Sequence, residues 1–413
     1  MSVHDVFSSN RRRTIRRAAL AAALLVAGVP NAALAFESPD DGVFKDRIDW
    51  GVIMDLSGPT AASQRPWVNG VQSYTRMINE AGGVGGRKIN VLTEDNRYDA
   101  TVDRVAYEKF ATQTPALGVS GLGNSSAQVA LVPLIKRLKL PVVGTYVTTK
   151  AAIDPPSPYF YGSFCGFKEM AQVGVGYFTD SLKLKAPKVA TVHLDVASGK
   201  EFIGYMDAAV AERGGTSKGI PIKVVAADAT PQVLEIVNMK PDFIAIHGTS
   251  TTAILVMKAL AQYGLNIPTF AITYLGGPSV YGNLDEKTGA SYHFVSCFSP
   301  ASADEKATAA MSAAADKYGF SALKDDINFV AGWVVGQLIT EAIAKAGPEP
   351  TREKLAAALD SGFELDTKGV SSALRYTKDN HLGLTVLRPF AYDYATKKYK
   401  SFGEFKDFKK YTK

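Results

Sequence analysis

The sequence has few of the residues and none of the motifs that mark enzymes and metal proteins. Its five histidines are scattered without metal-ligand spacing: His4, His193, His247, His293 and His381. It contains no G-x-S-x-G elbow, no G-x-x-x-x-G-K-S/T loop and no H-E-x-x-H pair. The glycine-rich stretch at residues 82–86 follows a predicted helix and lacks dinucleotide-loop spacing, so we interpret it as a turn. We therefore expect no enzymatic activity and no metal or cofactor.

Long apolar runs are also lacking beyond residue 35, where no stretch approaches 18 uninterrupted apolar residues. The first 35 residues are different. Five arginines lie between residues 11 and 17, an uncharged apolar run covers residues 18–29, and Ala-Leu-Ala follows at residues 33–35. This order is typical of a secretory signal peptide, and the apolar run is shorter than the ~20 residues of a bilayer-spanning helix. We expect a soluble mature protein that begins near Phe36 and works outside the cytoplasm.

Cysteine is scarce, with Cys165 and Cys297 the two in the sequence. Neither follows the predicted cleavage site, so we expect no lipid-modified N-terminal cysteine. In an oxidising compartment the two thiols can form a disulfide, and the alternative is a pair of buried free thiols. The residues alone leave both alternatives open.

An excess of charge is missing from the predicted mature chain. The full sequence has 46 Lys and Arg against 40 Asp and Glu. The predicted signal peptide holds five Arg and one Asp, so 41 and 39 remain, a net charge of +2. No Lys- and Arg-rich run with interleaved aromatic residues is left, and we expect no nucleic-acid partner.

What the sequence does contain is an alternation of short β-rich runs with helical patterns. The first series of predicted strands covers residues 48–54, 88–92, 117–120 and 141–144, and the second covers residues 188–193, 222–225, 243–247 and 269–272. Residues 304–360 are predicted to be helical, and residues 386–394 with Tyr399 to form a closing hairpin. Such alternation predicts an α/β protein with two doubly wound parallel-sheet lobes, as a chain of this length also favours.

An ordered series of motifs gives the chain a family resemblance. It comprises Leu-Ser-Gly-Pro at residues 56–59, Ile-Asn-Glu-Ala-Gly-Gly-Val-Gly-Gly-Arg-Lys at residues 78–88 and Glu-Asp at residues 94–95. Gly-Leu-Gly-Asn-Ser-Ser follows at residues 121–126. The series resembles the N-terminal signature of substrate-binding proteins that serve ABC transporters of the branched-chain amino acid type. The similarity extends from Ile48 to the C-terminus.

The resemblance implies a type I periplasmic binding fold, in which two Rossmann-like lobes are joined by three crossovers. Alignment puts the crossovers near residues 164–166, 298–300 and 381–383. Lobe I then comprises residues 36–164 and 299–382, and lobe II comprises residues 165–298 and 383–413. The first two crossovers lie side by side in that fold, which brings Cys165 and Cys297 close enough to bond. The resemblance also implies a monomer in the periplasm that docks on ABC permease subunits in the membrane.

The same resemblance points to a missing feature of the ligand site. Amino-acid binders of this family hold the ligand's ammonium with acidic side chains of lobe II, and the two such positions align with Gly166 and Tyr274. Burying an ammonium without a partner charge costs several kcal/mol. We therefore predict that ordinary α-amino acids are not the ligand. A shifted alignment leaves Asp195 as an alternative acidic partner.

The remaining residues at the predicted strand ends favour an anion with an apolar body. A helix is predicted to start at Asn124, Ser125 and Ser126, with Ser125-Ser126 at its cap. Its hydroxyl and N–H groups are suited to a carboxylate. Further candidates are Thr145 and Thr249 as donors, His247 as a donor from lobe II, and Arg65, in the loop before the first helix, as counter-charge. Trp67, Tyr146, Phe164 and Tyr274 are candidates for stacking on an aromatic ring.

The sequence thus predicts the solute-binding component of an ABC importer whose ligand is a carboxylate without an amine, of the benzoate or cinnamate type. Three alternatives stay open. The ligand can be a branched-chain amino acid, or it can be urea, a short amide or an aliphatic acid. In the third alternative the protein is a sensory subunit that reports its ligand to a membrane receptor. In each case ligand held between the lobes favours the closed arrangement.

Overall fold

Residues 36–403 and the backbone of Lys406–Asp407 are described by a computed structural model, so the predicted signal peptide lies outside the described residues. A five-stranded parallel sheet comes first along the chain. Its strands are β1 (Arg47–Met54), β2 (Lys88–Asp95), β3 (Val119–Gly121), β4 (Val142–Thr145) and β5 (Phe160–Tyr161). They lie in the order β2-β1-β3-β4-β5, and β1 pairs in parallel with β2 from Arg47 opposite Lys88 to Met54 opposite Asp95. Seven of the eight β1 residues are buried, as expected for a strand covered on both faces.

The helices between these strands cover the two faces of the first sheet. They are α1 (Ala61–Glu80), α2 (Ala100–Thr112), α3 (Ser125–Leu138) and the short α4 (Lys150–Ile153). A cluster that includes Ile53, Tyr107, Phe110, Leu131 and Ile135 forms the core between β1, β3, α2 and α3. The Tyr107 hydroxyl donates to the Leu140 carbonyl at 2.7 Å, so the polar end of this buried ring is satisfied.

An eight-stranded sheet follows. Its strands are β6 (Lys188–Leu194), β7 (Thr216–Ile222), β8 (Phe243–His247), β9 (Thr269–Ala271), β10 (Tyr292–Ser296), β14 (Val386–Asp393), β15 (Lys398–Ser401) and β16 (Lys406–Asp407). The order is β15-β14-β10-β9-β8-β6-β7, and β16 pairs with β14. Neighbouring strands from β6 to β10 are parallel, whereas β14 is antiparallel to both β10 and β15. The hairpin predicted at residues 386–399 is thereby confirmed.

The second sheet has its own helices: α5 (Phe167–Ser181), α6 (Ala197–Ala211), α7 (Thr230–Met239), α8 (Ser250–Gln262), α9 (Pro278–Tyr281) and α10 (Glu286–Gly289). The chain then forms α11 (Ala309–Lys317), α12 (Ile327–Ala346), α13 (Arg352–Asp360) and a small antiparallel sheet of β11 (Phe363–Leu365), β12 (Leu374–Thr377) and β13 (Asn380–Gly383). We refer to the five-stranded sheet with α1–α4 and α11–α13 as lobe I, and to the eight-stranded sheet with α5–α10 as lobe II. The predicted pair of doubly wound lobes is confirmed.

Two glycines let α1 and α12 cross at close range in lobe I. A Cβ atom on Gly332 would lie 1.9 Å from the Trp67 carbonyl oxygen, and one on Gly70 would lie 2.1 Å from the Phe329 carbonyl oxygen. Within the described residues α12 is the one helix long and apolar enough to cross a membrane. In its most apolar stretch of 18 residues, 83% is buried inside the protein. Its packing on α1 identifies α12 as a core helix of lobe I.

Three segments carry the chain between the sheets: residues 162–166, residues 297–300 and residues 384–385. The first two are joined by a disulfide between Cys165 and Cys297, whose Cα atoms are 6.0 Å apart. The covalent link therefore lies where the chain leaves one lobe and enters the other.

One predicted strand was wrong. Residues 223–225 are not in a strand, because β7 ends at Ile222, the first residue of the predicted strand. The strand lies at the edge of its sheet and contains Gly219 and Pro221, which sequence patterns associate with turns. Val225 is 74% exposed, so its apolar side chain marks no core position.

Candidate functional site

A cavity lies between the lobes, at the carboxyl ends of strands from both sheets. Its wall consists of Thr60, Ser63, Gln64, Tyr98, Gly123, Ser125, Tyr146 and Val147 from lobe I, and of Phe167, Leu194, Ser198, His247, Gly248, Thr249, Ile272 and Tyr274 from lobe II. The space open to the centre of a water molecule is about 40 Å³, which corresponds to about three waters. Doubly wound sheets bind ligands at this place, so the cavity is the candidate site.

The loop before α1 is held in place by two carboxylates. The buried Asp55 side chain accepts hydrogen bonds from the Gly58 amide at 2.5 Å and from the Thr60 amide and hydroxyl at 2.8 and 2.6 Å. Asp95 accepts from the Leu56 amide at 2.9 Å and from the Ser57 hydroxyl at 2.6 Å. These contacts explain Leu56, Ser57 and Gly58 in the first motif and Asp95 in the second, because they fix the start of α1 and with it the cavity residues Ser63 and Gln64.

Helix α3 begins at the lobe I side of the cavity. Asn124 is its N-cap, one residue before the predicted cap, and the Asn124 side-chain oxygen accepts from the amides of Ser126 and Ala127 at 3.1 and 3.2 Å. This arrangement leaves the Ser125 hydroxyl at the cavity wall. A Cβ atom on Gly123 would lie 2.4 Å from the side-chain amide nitrogen of Gln64, so the loop approaches the Gln64 side chain closely at this position.

Helices α6 and α8 begin at the lobe II side. Thr249 caps α8, and its hydroxyl accepts from the Thr252 amide at 3.3 Å. The first turn of α6 has no side-chain cap, and the amide of Ser198 in that turn donates to the Ser125 hydroxyl of lobe I at 3.2 Å. The partial positive charge of three helix starts is therefore concentrated at one cavity.

His247 is a neutral side chain in the cavity wall. Burial, together with the nearby His193, lowers the pKa of His247 to about 3. Its ring packs against Phe167 at 5.4 Å and Phe202 at 5.6 Å between centroids. Its Nδ1 atom has no hydrogen-bond partner among the described residues. At neutral pH the residue thus offers a hydrogen-bonding group and no charge.

Aromatic rings from both lobes pack together beside the cavity. The Tyr274 ring lies 5.0 Å from the Tyr146 ring and 4.5 Å from the Phe164 ring, between centroids. The Tyr146 hydroxyl donates to the Asn328 side-chain oxygen at 2.9 Å, whereas the Tyr274 hydroxyl is buried without a partner among the described residues. Burial raises the pKa of both tyrosines well above the usual value, so both hydroxyls stay protonated.

Direct hydrogen bonds join the lobes around the cavity. The hydroxyls of Ser63 and Ser250 are 3.3 Å apart, and the Lys150 amide donates to the Glu201 carboxylate at 3.0 Å. The Asn328 side chain donates to the Tyr274 carbonyl at 3.2 Å. Together with the bond between Ser198 and Ser125, these contacts define a closed arrangement of the two lobes.

The cavity wall contains no Asp, Glu, Lys or Arg. Glu169 lies beside the wall, and a Cβ atom on Gly166 would be 2.0 Å from one of its carboxylate oxygens, but Glu169 is not part of the wall. Asp195, the alternative acidic partner, has a 60% exposed side chain that pairs with Lys200 at 3.2 Å. Within the described residues no group of His, Cys, Asp and Glu is arranged to hold a metal ion.

Five of the nine predicted site residues line the cavity, and four do not. The five are Ser125, Tyr146, His247, Thr249 and Tyr274. Asn124 caps α3 and donates through its side-chain amide to the Tyr98 carbonyl at 2.8 Å, and the Thr145 hydroxyl is buried against that of Thr148 at 3.0 Å. Both residues therefore support the wall from behind.

The structure places the side chains of Arg65 and Trp67 away from the cavity, contrary to their predicted roles. Arg65 lies in α1 and not in the loop before it, and its exposed guanidinium donates to the Leu56 carbonyl, so it supplies no counter-charge to the cavity. Trp67 is fully buried inside lobe I, where its backbone contacts Gly332 of α12. It has no free face on which a ligand could stack.

Sequence reasoning missed the contribution of the starts of α1 and α6 and of one loop. The missed wall residues include Thr60, Ser63, Gln64, Tyr98 and Ser198. Thr60, Ser63 and Gln64 have helical spacing and share one face at the start of α1, so a correct helix start would have identified them. Tyr98 reaches the cavity from a loop with a backbone φ of 62°, and no sequence pattern indicates that conformation.

Comparison with known proteins agrees with this architecture. The family model described as periplasmic binding protein matches residues 48–395. No curated protein sequence matches the chain. Among solved structures, a fatty acid ABC transporter substrate-binding protein from Thermomonospora curvata has a TM-score of 0.79 at 21% identity, covering 91% of this chain and 96% of its own.

Two further structures are similar over most of their length. A branched-chain amino acid ABC transporter protein from Thermus thermophilus with bound valine has a TM-score of 0.78 at 19% identity, covering 88% of this chain and 98% of its own. A leucine-binding protein from Thermotoga maritima has a TM-score of 0.73 at 17% identity, covering 86% and 98%. The chain thus belongs to the periplasmic binding protein family, and it shares its fold with these solved structures of binding proteins.

Proposed function

We propose that the protein binds a small carboxylate without an amine, an aromatic acid of the benzoate or cinnamate type, as the solute-binding component of an ABC importer. One observation carries this proposal: the cavity wall has no charged side chain, while three long helices begin at it. Such a wall favours an anion and offers no counter-charge to an ammonium group.

The caps of the three helices support an anionic ligand. Asn124 and Thr249 are neutral caps, α6 has no side-chain cap, and the first turns of these three helices hold no Asp or Glu. The hydroxyls of Ser63 and Ser125 add donors on the lobe I side. A ligand carboxylate would take up this positive potential, whereas an α-amino acid would also bury an ammonium without a partner, at a cost of several kcal/mol.

Tyr146 and Tyr274 support an aromatic body for the ligand, because both rings are part of the wall and come from opposite lobes. The closed arrangement has room for about three waters, less than a benzoate ring needs. An aromatic acid therefore enters after the lobes separate, and holds them further apart than the closed arrangement does. Contacts to both lobes then make the ligand-bound state favourable.

The small volume of the cavity favours an aliphatic acid as a second candidate. The substrate-binding protein from Thermomonospora curvata is named for fatty acids, which are carboxylates without an amine. At 21% identity that likeness concerns the fold, and the argument for an aliphatic ligand rests on the space of about 40 Å³.

The cellular setting follows from the family and the N-terminus. We propose that residues 1–35 direct the protein to the periplasm, where it acts as a monomer and delivers its ligand to ABC permease subunits. Residues 36–164 with 299–382 and residues 165–298 with 383–413 would then act as the two halves that close on the ligand.

A ligand screen by thermal unfolding tests the proposal. The purified protein is heated with benzoate, cinnamate, butyrate, leucine, valine, urea and acetamide in turn. A ligand at a hundred times its dissociation constant adds about 2.7 kcal/mol of stability, which gives a clear shift of the unfolding temperature. We expect a shift with benzoate or cinnamate and none with leucine or valine. A shift with leucine alone would overturn the proposal, and a shift with butyrate alone would select the aliphatic candidate.

A further inference from the structure

One buried side chain of lobe I contacts residues on both sides of the cavity. Asn328 lies in the first turn of α12 and is 1% exposed. Its side-chain oxygen accepts from the Tyr146 hydroxyl of lobe I at 2.9 Å, and its side-chain nitrogen donates to the Tyr274 carbonyl of lobe II at 3.2 Å. Tyr146 and Tyr274 are part of the cavity wall, whereas Asn328 is not. Asn328 therefore acts on the cavity through these two residues.

The orientation of the Asn328 side chain is determined by its partners. Its nitrogen also donates to the carboxylate of Asp326, the N-cap of α12, at 3.1 Å. At neutral pH this carboxylate and the Tyr274 carbonyl only accept hydrogen bonds, so both must face the amide nitrogen. The amide oxygen is then left for the Tyr146 hydroxyl. All three hydrogen bonds require this one orientation, and a buried network whose members are all satisfied is rigid.

The contact between α12 and the Tyr274 segment lies beside the hinge. A second hydrogen bond joins the same elements, because the Ile327 amide donates to the Gly276 carbonyl at 3.1 Å. The Tyr274 ring stacks on Phe164, at 4.5 Å between centroids, and Phe164 belongs to the first segment that carries the chain between the sheets. Rotation of the lobes displaces residues near the hinge least. These contacts therefore persist when a ligand holds the lobes further apart.

We propose that Asn328 is a positioning residue for the ligand, which fixes Tyr146 and Tyr274 relative to each other and so sets the preference for an aromatic acid. This inference rests on the proposed function, in which both rings contact the aromatic body of the ligand. A wall whose residues are already in place loses less conformational freedom on binding, and the affinity rises accordingly. A planar ring depends on the spacing of the wall more than a flexible alkyl chain does, because it cannot adapt its shape to displaced residues.

Two variants test the positioning role by titration calorimetry on the purified protein. The probes are butyrate and whichever of benzoate and cinnamate binds better. Asn328→Ala should weaken binding of the aromatic acid about tenfold, the effect of one well-made hydrogen bond to a buried group. Tyr146→Phe removes one of the two hydrogen bonds and keeps the ring, so it should weaken binding several-fold, and it tests the proposal even if Asn328→Ala does not fold. Both variants should change the affinity for butyrate less.

Two comparisons separate positioning from a general loss of stability. Asn79→Ala is the matched control, because the Asn79 side chain also donates and accepts, at 2.9 and 2.8 Å with the Ile89 backbone, and is not part of the cavity wall. It should lower the unfolding temperature and leave both affinities unchanged. The double variant Tyr146→Phe/Asn328→Ala should lose no more affinity for the aromatic acid than Asn328→Ala alone, since both changes remove the same hydrogen bond.

The outcomes separate the two proposals. If both single variants bind the aromatic acid with wild-type affinity, or if their losses add fully in the double variant, the positioning role is wrong while the proposed function stands. Equal losses for butyrate and the aromatic acid would also overturn it, because Asn328 would then support the lobes in general. If the wild-type protein binds none of the acids, the proposed function fails and the positioning role fails with it.

Discussion

The amide of Ser198 in lobe II donates a hydrogen bond to the hydroxyl of Ser125 in lobe I, at 3.2 Å. Each residue lies in the first turn of its helix, so this bond joins two helix starts across the cleft. A ligand carboxylate that binds at these helix starts meets the same two groups. Ser125 is thus both a contact between the closed lobes and a proposed ligand donor.

Ser125→Ala is expected to weaken binding of a carboxylate ligand. The variant removes a hydroxyl that donates to an anion, and hydrogen bonds to charged groups contribute about 1.5–3 kcal/mol. Affinity for the best acid of the screen should fall roughly ten- to a hundredfold, as measured by titration calorimetry.

Two variants serve as controls for Ser125. Ser126→Ala changes the next residue of α3, whose side chain is exposed, and Arg65→Ala removes the exposed cation of α1. Both should bind the acid with wild-type affinity. A large loss in Arg65→Ala, with none in Ser125→Ala, would contradict the assignment of the anion site to the helix starts.

Loss of the disulfide between Cys165 and Cys297 is expected to destabilise the protein. The bond closes a sequence separation of 132 residues, and a cross-link of this kind restricts the unfolded chain. The double variant Cys165→Ser/Cys297→Ser should lose about 2–4 kcal/mol of unfolding free energy in urea. Mass spectrometry of the denatured, non-reduced wild type should detect no alkylated thiol, and uptake of reagent at both cysteines would show that the bond is not formed.

The pH dependence of stability should reveal the buried neutral His247. Its pKa is lowered to about 3, so below pH 6.5 the unfolded chain binds a proton that the folded protein excludes. The stability that the neutral His247 contributes is fully present above pH 6.5 and is lost as the pH falls. The unfolding free energy should drop by about 2 kcal/mol between pH 7 and pH 5 from this group. His247→Asn removes the titrating group, so the stability difference between wild type and variant should shrink by that amount. Parallel curves for the two proteins would contradict a buried neutral imidazole.

The fold could be predicted from the sequence because parallel strands buried on both faces give apolar runs that alternate with helices. The prediction was wrong where local chemistry hides a strand, as at β7 with Gly219 and Pro221. The small sheet of β11, β12 and β13 was not predicted at all. Its strands have three or four residues, too few for a clear alternation of apolar and polar side chains.

The site could be predicted only as far as the strand ends define it. His247 is the last residue of β8, and Ser125 and Tyr274 come shortly after the ends of β3 and β9, so their place in the wall comes from topology alone. Arg65 and Trp67 were misplaced because the start of α1 was predicted wrongly. A helix turns about 100° per residue, so such an error assigns the wrong residues to the face that lines the cavity. The closeness of the lobes depends on packing between distant residues, which no local pattern records.

The crossing of α1 and α12 offers a test of the lobe I core that is independent of the ligand. A Cβ atom on Gly332 would lie 1.9 Å from the Trp67 carbonyl oxygen, and because that neighbour is backbone the two helices must move apart. Gly332→Ala should therefore destabilise the protein by about 1–3 kcal/mol, despite the better helix propensity of alanine. Gly204→Ala in α6 is the matched control, since nothing lies within 4 Å of its added Cβ atom, and it should stabilise by about 0.5–1 kcal/mol. Opposite signs for the two glycines in urea unfolding would show that close packing, and not backbone freedom, requires glycine at position 332. If Gly332→Ala raised the unfolding free energy as much as Gly204→Ala does, the prediction would be wrong. Helices α1 and α12 would then have to cross at a greater distance than the structure gives.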